Sequence, residues 1–572
     1  MNSSLGEGPS GAEAGRELLM RRQAEALERL AEVSDPEYKP RQRVYGKLAG
    51  LVVAGSGAVL AGYEFILFVL ESQERRAMVA NWVEASRELF EVEGSAAEAG
   101  QLVARAAEVA PQDPDVVKLS AYIDGMGVVE RLVNLDRPFD VSDVEAYGRA
   151  MGQAVMLERV APEDPEWAIL RGQLALAARE PDRAQVFIEQ ALRLDPGNAF
   201  ATLRLSLVHL ARYQQSPKAD DAQAQLASCR LLLDRALALE PSLKWGRLWK
   251  GALALEIDGD AAAAARDFEA AIELDPRFAS AWASLGGARE RQEDWAGAEK
   301  AYARALEIRP DISLALVGLA YVYGAQDRYE IGLRYARRAT ELDAKGLKAW
   351  NMRGLLAREV AGIVEDEESK SELLSEAIDA YSKALDLDPR SADAYIERSK
   401  LNRRAGNLRE AGDDARDAVS FAPDDPYAWD ALAKFQAAAG LVDQAEETFT
   451  KVIAIDPGFD TALLERAKCR HKRGNTAGAS ADLDAALAVA TDDFRVDVLL
   501  ERAGTREQDA RTAEALADYV EARTLQTNSF DAWMGEARCL RLLGRLAESA
   551  QAATSALELR PDDAEAKALS GR

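Results

Sequence analysis

Lys400, Lys434 and Lys468 recur at intervals of 34 residues, and further cations stand beside them: Arg403 and Arg404 after the first, Lys472 after the third. Ammonium and guanidinium groups at this spacing break no bonds. They offer charge-assisted hydrogen bonds to carboxylates, worth roughly 1.5–3 kcal/mol each when desolvated and far less when exposed. Little else in the chain has the raw material for catalysis. His209 and His471 are the only histidines, too few for a metal cluster or for histidine-based acid–base work. There is no G-x-x-x-x-G-K-[ST], H-E-x-x-H or G-x-S-x-G stretch, and no G-x-G-x-x-G that follows a strand. Cys229, Cys469 and Cys539 are odd in number and far apart, which excludes a disulfide framework and a C-x-x-C knuckle and leaves them as small core residues. The acidic pairs Asp413-Asp414 and Asp424-Asp425 read as helix caps, since an aspartate near a helix start accepts the orphan amides. The chain therefore reads as a non-enzyme with no cofactor and no metal.

Composition agrees. Of 572 residues, 48% are hydrophobic and 29% charged, as in a helical protein. The net charge of −26 argues against a nucleic-acid partner, because phosphate backbones demand a basic surface.

The elements that must hold the cations are repeats, and the stretch from Ala279 to Ile312 states the pattern. Trp282, Leu285 and Gly286 fall in one helical period; Ala298, Tyr302 and Ala305 fall in a second, after the turn Gln292-Glu293-Asp294, and Pro310 closes the unit. Trp282 and Tyr302 are knobs, while Gly286, Ala298 and Ala305 are small enough for two helix backbones to approach. This spacing resembles the tetratricopeptide repeat, a helix-turn-helix unit of about 34 residues; Arg289 stands where the repeat has an aromatic. Closing residues follow at Pro111, Pro162, Pro196, Pro241, Pro276, Pro310, Ala344, Pro389, Pro423, Pro457, Thr491, Thr527 and Pro561. The resemblance implies an all-α fold, a right-handed α-solenoid of about thirteen repeats. Residues 71–162 form divergent units, 163–561 the solenoid proper and 562–572 a C-terminal tail. Insertions near 122–147, 213–221 and 360–372, the last with Glu365-Asp366-Glu367-Glu368, map to loops or lengthened helices on one face.

Ahead of the repeats, residues 1–47 form a tail holding an amphipathic helix over 12–33. Leu48 to Leu70 then contains 23 residues of which one, Glu64, is ionisable, enough to span roughly 30 Å of hydrocarbon. A single transmembrane helix is expected there. Gly46, Gly50, Ala54, Ala58 and Gly62 recur every fourth residue, a smooth stripe suited to packing another transmembrane helix. Lys39, Arg41, Arg43 and Lys47 precede the span while Arg75 and Arg76 follow it, which puts the N-terminus in the cytoplasm. With an Ala- and Arg-rich composition that looks bacterial, the expectation is an inner-membrane protein whose repeats lie in the periplasm.

The resemblance further implies that first helices line a concave groove for extended peptides or partner helices. Groove positions then fall on Leu203, Leu207, Leu210, Trp249, Leu253, Leu314, Val317 and Tyr321, an apolar half. They fall next on Lys348, Arg358, Lys400, Arg403, Arg404, Lys434, Lys468, His471, Lys472, Arg538 and Arg541, a cationic half. The expected function is a membrane-anchored scaffold or receptor that binds other proteins, through acidic or amphipathic segments seated on this groove. The alternative is a permanent structural or assembly subunit of a larger membrane complex.

Overall fold

The computed structural model describes residues 76–84, 86, 96–133 and 144–571. The expected amphipathic helix 12–33, the apolar stretch 48–70 with its stripe Gly46, Gly50, Ala54, Ala58 and Gly62, and the insertion residues 134–138 lie outside them. Among the described residues every regular element is a helix, and none is long and apolar enough to cross a membrane.

Local sequence dictates the helix pairs. Ala279–Arg291 and Trp295–Ile308 are joined by a turn in which Glu293 takes φ 58° and the Asp294 carboxylate accepts from Gly297 N at 3.0 Å. The same left-handed residue ends the first helix of other pairs, at Arg179, Gly259, Asp327, Gly406, Gly440, Gly474, Ala510 and Gly544. Glycine fills five of these nine sites, as the steric penalty on a Cβ there requires. At the far end of the repeat, tryptophan fixes the entry to the next first helix: the indole N–H of Trp282 donates to Pro276 O at 3.0 Å, Trp429 to Pro423 O at 2.8 Å, and Trp533 to Thr527 O at 2.9 Å. Thr527 thus does by its carbonyl what proline does elsewhere.

The core is a chain of small clusters in which large second-helix side chains lie on small first-helix positions. Tyr302 is 2% exposed and is held between Gly286 of its own pair and Gly318 of the next; a Cβ on either would come within 2.6 Å or 2.2 Å of its ring. Tyr381 against Gly354 and Tyr519 against Gly535 repeat the arrangement. Ala298 and Ala305 are fully buried, as their size suggested. Cys229, Cys469 and Cys539 are buried free thiols; burial pushes Cys229 up to about 11 and Cys539 up to about 12, so they are protonated and inert at neutral pH.

The described residues form two compact lobes, those up to 328 with 338–346, and 329–337 with 347–571. In the first, the pairs run from Pro114–Val133 with Val144–Val160 to Ala279–Arg291 with Trp295–Ile308, followed by Ser313–Ala325. In the second they run from Leu347–Ile363 with Glu367–Leu387 to Phe530–Leu542 with Leu546–Leu559, and Ala564–Ser570 packs on the last. The insertion near 360–372 is absorbed by helix length: Leu347–Ile363 and Glu367–Leu387 have 17 and 21 residues. Its acidic run is the start of the second helix. Asp366 caps it through Ser369 N at 2.8 Å, and Glu367 and Glu368 sit in the first turn, where negative charge meets the positive end of the dipole.

The expected caps Asp413 and Asp414 are something else, since both lie inside helix Leu408–Phe421. Asp425 does cap Pro426–Ala438, accepting from Tyr427 N at 2.9 Å, but Asp414 lies inside helix Leu408–Phe421 and is 4% exposed. Arg398 grips it with two hydrogen bonds of 3.0 and 2.6 Å, and Asn402 adds a third at 3.1 Å. Asp482, held by Arg466 and Arg470, and Asp518, held by Arg502 and Arg506, repeat this clamp in other pairs. A buried aspartate ringed by guanidinium donors satisfies its lone pairs inside the helix pair, which a cap at the surface would not need.

Candidate protein-interaction face

In the second lobe the first helices Leu347–Ile363, Ala392–Arg404, Pro426–Ala438 and Asp460–Lys472 bring the expected cations together with carboxylates set between them. Arg358 pairs with Glu359 on its own helix and with Glu397 on the next first helix. Glu397 also takes Lys400 at 2.8 Å, Lys434 takes Asp430 at 2.8 Å, and Lys468 takes Glu465 at 2.8 Å. Asp430 is 2% exposed. Burial pushes its carboxyl above the usual range, Lys434 and Lys400 oppose the shift, and Glu465 adds to it. Arg358, Lys400, Lys434 and Lys468 therefore stand in a ladder of alternating sign rather than a wall of one sign. The cause is an acid three or four residues before each lysine, which helical geometry brings alongside it.

Arg403, Arg404 and Lys472 are different. Among the described residues none of them makes an ion pair, and Arg404 and Lys472 are exposed. All three lie in the last turns of their helices, where a cation complements the carbonyl end of the dipole and keeps its N–H groups available. Lys348 is also exposed. His471 is partly buried and its Nδ1 has no partner. Arg538 reaches Glu507 at 3.2 Å.

In the first lobe the expected apolar wall is largely core. Leu203, Leu207, Leu210 and Leu253 are 0%, 8%, 6% and 6% exposed and pack with Leu226, Cys229 and Leu233 in one cluster. The 18-residue helix Ala222–Leu239 supplies the extra side chains that bury them. Trp249 packs on the same cluster with its indole N–H buried and unpartnered. Leu314 and Tyr321 are the exposed members, at 52% and 42%, and the Tyr321 ring lies 6.3 Å from that of Trp295.

A family model described as tetratricopeptide repeat matches residues 251–311, 366–426 and 501–564, each match running from one helix pair into the next. The chain carries tetratricopeptide repeats. Solved repeat proteins are similar to it at low identity: one from Parabacteroides merdae at 18% identity, covering 46% of this chain and 99% of its own with a TM-score of 0.36. The Cut9–Hcn1 hetero-tetramer of the APC/C is similar at 14% identity, covering 80% and 96% with a TM-score of 0.39. YrrB, a repeat protein with an unusual peptide-binding site, is similar at 20% identity, covering 35% and 96% with a TM-score of 0.28.

Within the repeats, sequence reasoning counted the cations of the second lobe without the acids beside them. It also passed over the arginine–aspartate clamps. A signal for the clamps was present, arginine and aspartate recurring 16 residues apart as Arg398 and Asp414, Arg466 and Asp482, Arg502 and Asp518, and for the ladder in the acid three or four residues before each lysine.

Proposed function

We propose that this chain is a protein-interaction scaffold whose second lobe binds an acidic segment of a partner protein across its first helices. The observation that carries the reading is the set Arg403, Arg404 and Lys472: three cations in a protein of net charge −26 that have no carboxylate partner among the described residues, beside a ladder whose cations are all engaged. A segment with carboxylates spaced to meet them completes the pairing that the fold does not. We further propose that residues 48–70 anchor the scaffold in a membrane, with the repeats on the side opposite the short N-terminal tail; the apolar length of that stretch and the cation-rich flank before it support this. Another membrane helix packs on Gly46, Gly50, Ala54, Ala58 and Gly62.

The test is recovery of crosslinked partners from native membranes with wild type and with the Arg403→Glu, Lys472→Glu double variant. The double variant is expected to lose its partner with no change in melting temperature. Equal recovery by both proteins contradicts the acidic-segment reading, and full-length protein that stays in the supernatant after ultracentrifugation without detergent contradicts the anchor.

A further inference from the structure

Arg204, on helix Ala199–Gln215 in the first lobe, is a guanidinium without a counter-ion. Its Cζ lies 4.4 Å from the centre of the Phe200 ring. With the amide of Gln173 turned so that its oxygen faces the arginine, Oε1 accepts from Nη2 at 2.8 Å and from Nε at 2.6 Å. Gln173 comes from the preceding first helix, Glu166–Ala177, and is itself 2% exposed. The titratable group that acts on Arg204, among the described residues, is Tyr122, from helix Pro114–Val133. Among the described residues no carboxylate lies within ion-pair distance. Partly buried arginines on several other first helices do have one: Arg171 meets Glu158 at 2.7 Å, and Arg398, Arg466 and Arg502 each hold a buried aspartate.

That absence is physically costly. Arg204 is mostly buried, and burial pulls it down to about 10, so it is still charged at neutral pH. A desolvated charge with only neutral partners destabilises the fold that holds it, and an apolar side chain stacked on Phe200 would serve folding better. Among the described residues its Nη1 has no hydrogen-bond partner, and Arg204 is partly exposed, so the guanidinium stays within reach of solvent and of a ligand.

We infer that Arg204, backed by Gln173 and stacked on Phe200, is a carboxylate-binding site of the first lobe. The carboxylate accepts from Nη1 and from the second Nη2 hydrogen, and the Phe200 ring favours an apolar group beside it. This rests on reading first helices as the partner-facing side, but not on the cations of the second lobe. Three sources share the chemistry: an aspartate or glutamate side chain, a chain-terminal carboxylate, or a free organic acid.

The experiment measures fluorescence anisotropy on full-length protein in detergent, in the Arg403→Glu, Lys472→Glu background so that the second lobe is silent. The probes are a labelled Glu/Phe decapeptide with an amidated C-terminus, a Gln/Phe decapeptide with a free C-terminus, and acetate as competitor. At least one probe is expected to bind, and Arg204→Met is expected to weaken it tenfold or more, with Arg204→Lys retaining part of the affinity. Which probe responds assigns the source. The melting temperature of Arg204→Met is expected to equal or exceed that of wild type, the reverse of what a structural arginine gives. Equal affinity for Arg204→Met and its parent overturns the inference, as does no binding of any probe at millimolar concentration. Loss of all peptide binding in the second-lobe variant alone overturns it while leaving the proposed function standing; retention of all binding there, with loss on Arg204→Met, does the reverse.

Discussion

At the scale of single residues the account turns on close approach and on buried charge. Tyr302 fits only because Gly286 and Gly318 lack side chains. Gly318→Val is expected to destabilise the first lobe by about 1–3 kcal/mol through overpacking, read as a lower urea midpoint, and Tyr302→Leu in the same chain is expected to restore part of the loss. A melting curve unchanged by Gly318→Val contradicts the packing described. The clamps make a second claim. Asp518→Ala leaves Arg502 and Arg506, with side chains 16% and 14% exposed, facing each other without their buried anion and with only the exposed Asp484 as a shared partner. The expected cost is about 3–5 kcal/mol, measured by denaturation, and a loss below about 1 kcal/mol would mean the clamp is incidental.

At the scale of helices, Glu376 ties three elements together. It sits on Glu367–Leu387 and receives Arg337 at 2.6 Å from Tyr329–Leu342 and Arg353 at 2.8 Å from Leu347–Ile363. Burial alone would raise its pKa, but the two guanidinium groups outweigh burial and hold it below the usual carboxylate range. A carboxylate depressed in the folded state contributes stability above its unfolded pKa, and that contribution disappears as pH falls through the folded value. Glu376→Gln is therefore expected to melt below wild type at pH 7, and the gap is expected to close as the pH is lowered below about 4. A gap independent of pH would show that shape, not charge, is what Gln disturbs. Helices were the legible part of this molecule. Trp282, Gly286, Tyr302 and Pro310 declare a repeat because their sizes alone fix how two helices pack. Less legible was which polar side chain faces which. Asp414 looks like a cap beside Asp413, and only its distance from Arg398 across the pair reveals a buried anion. Leu203, Leu207 and Leu210 occupy groove positions by count, yet the lengthened helix Ala222–Leu239 buries them, an effect of the insertion that position counting leaves out.

At the scale of the whole molecule, acidity and repetition work together. A surface of net charge −26 repels acidic partners everywhere except where cations escape internal pairing, which confines acidic recognition to few places. The alternating ladder from Arg358 to Lys468 is one device for this: it neutralises its own lysines, while among the described residues Arg403, Arg404 and Lys472 beside it make no ion pair. The most direct measurement places a photo-crosslinking residue at Arg404 of the full-length protein in native membranes and sequences the partner peptides captured there, at low salt and again at about 0.5 M, where screening lengths fall severalfold. The account predicts that the captured peptides carry net negative charge and that capture drops sharply at high salt. Neutral or basic peptides captured equally at both salt concentrations would contradict it.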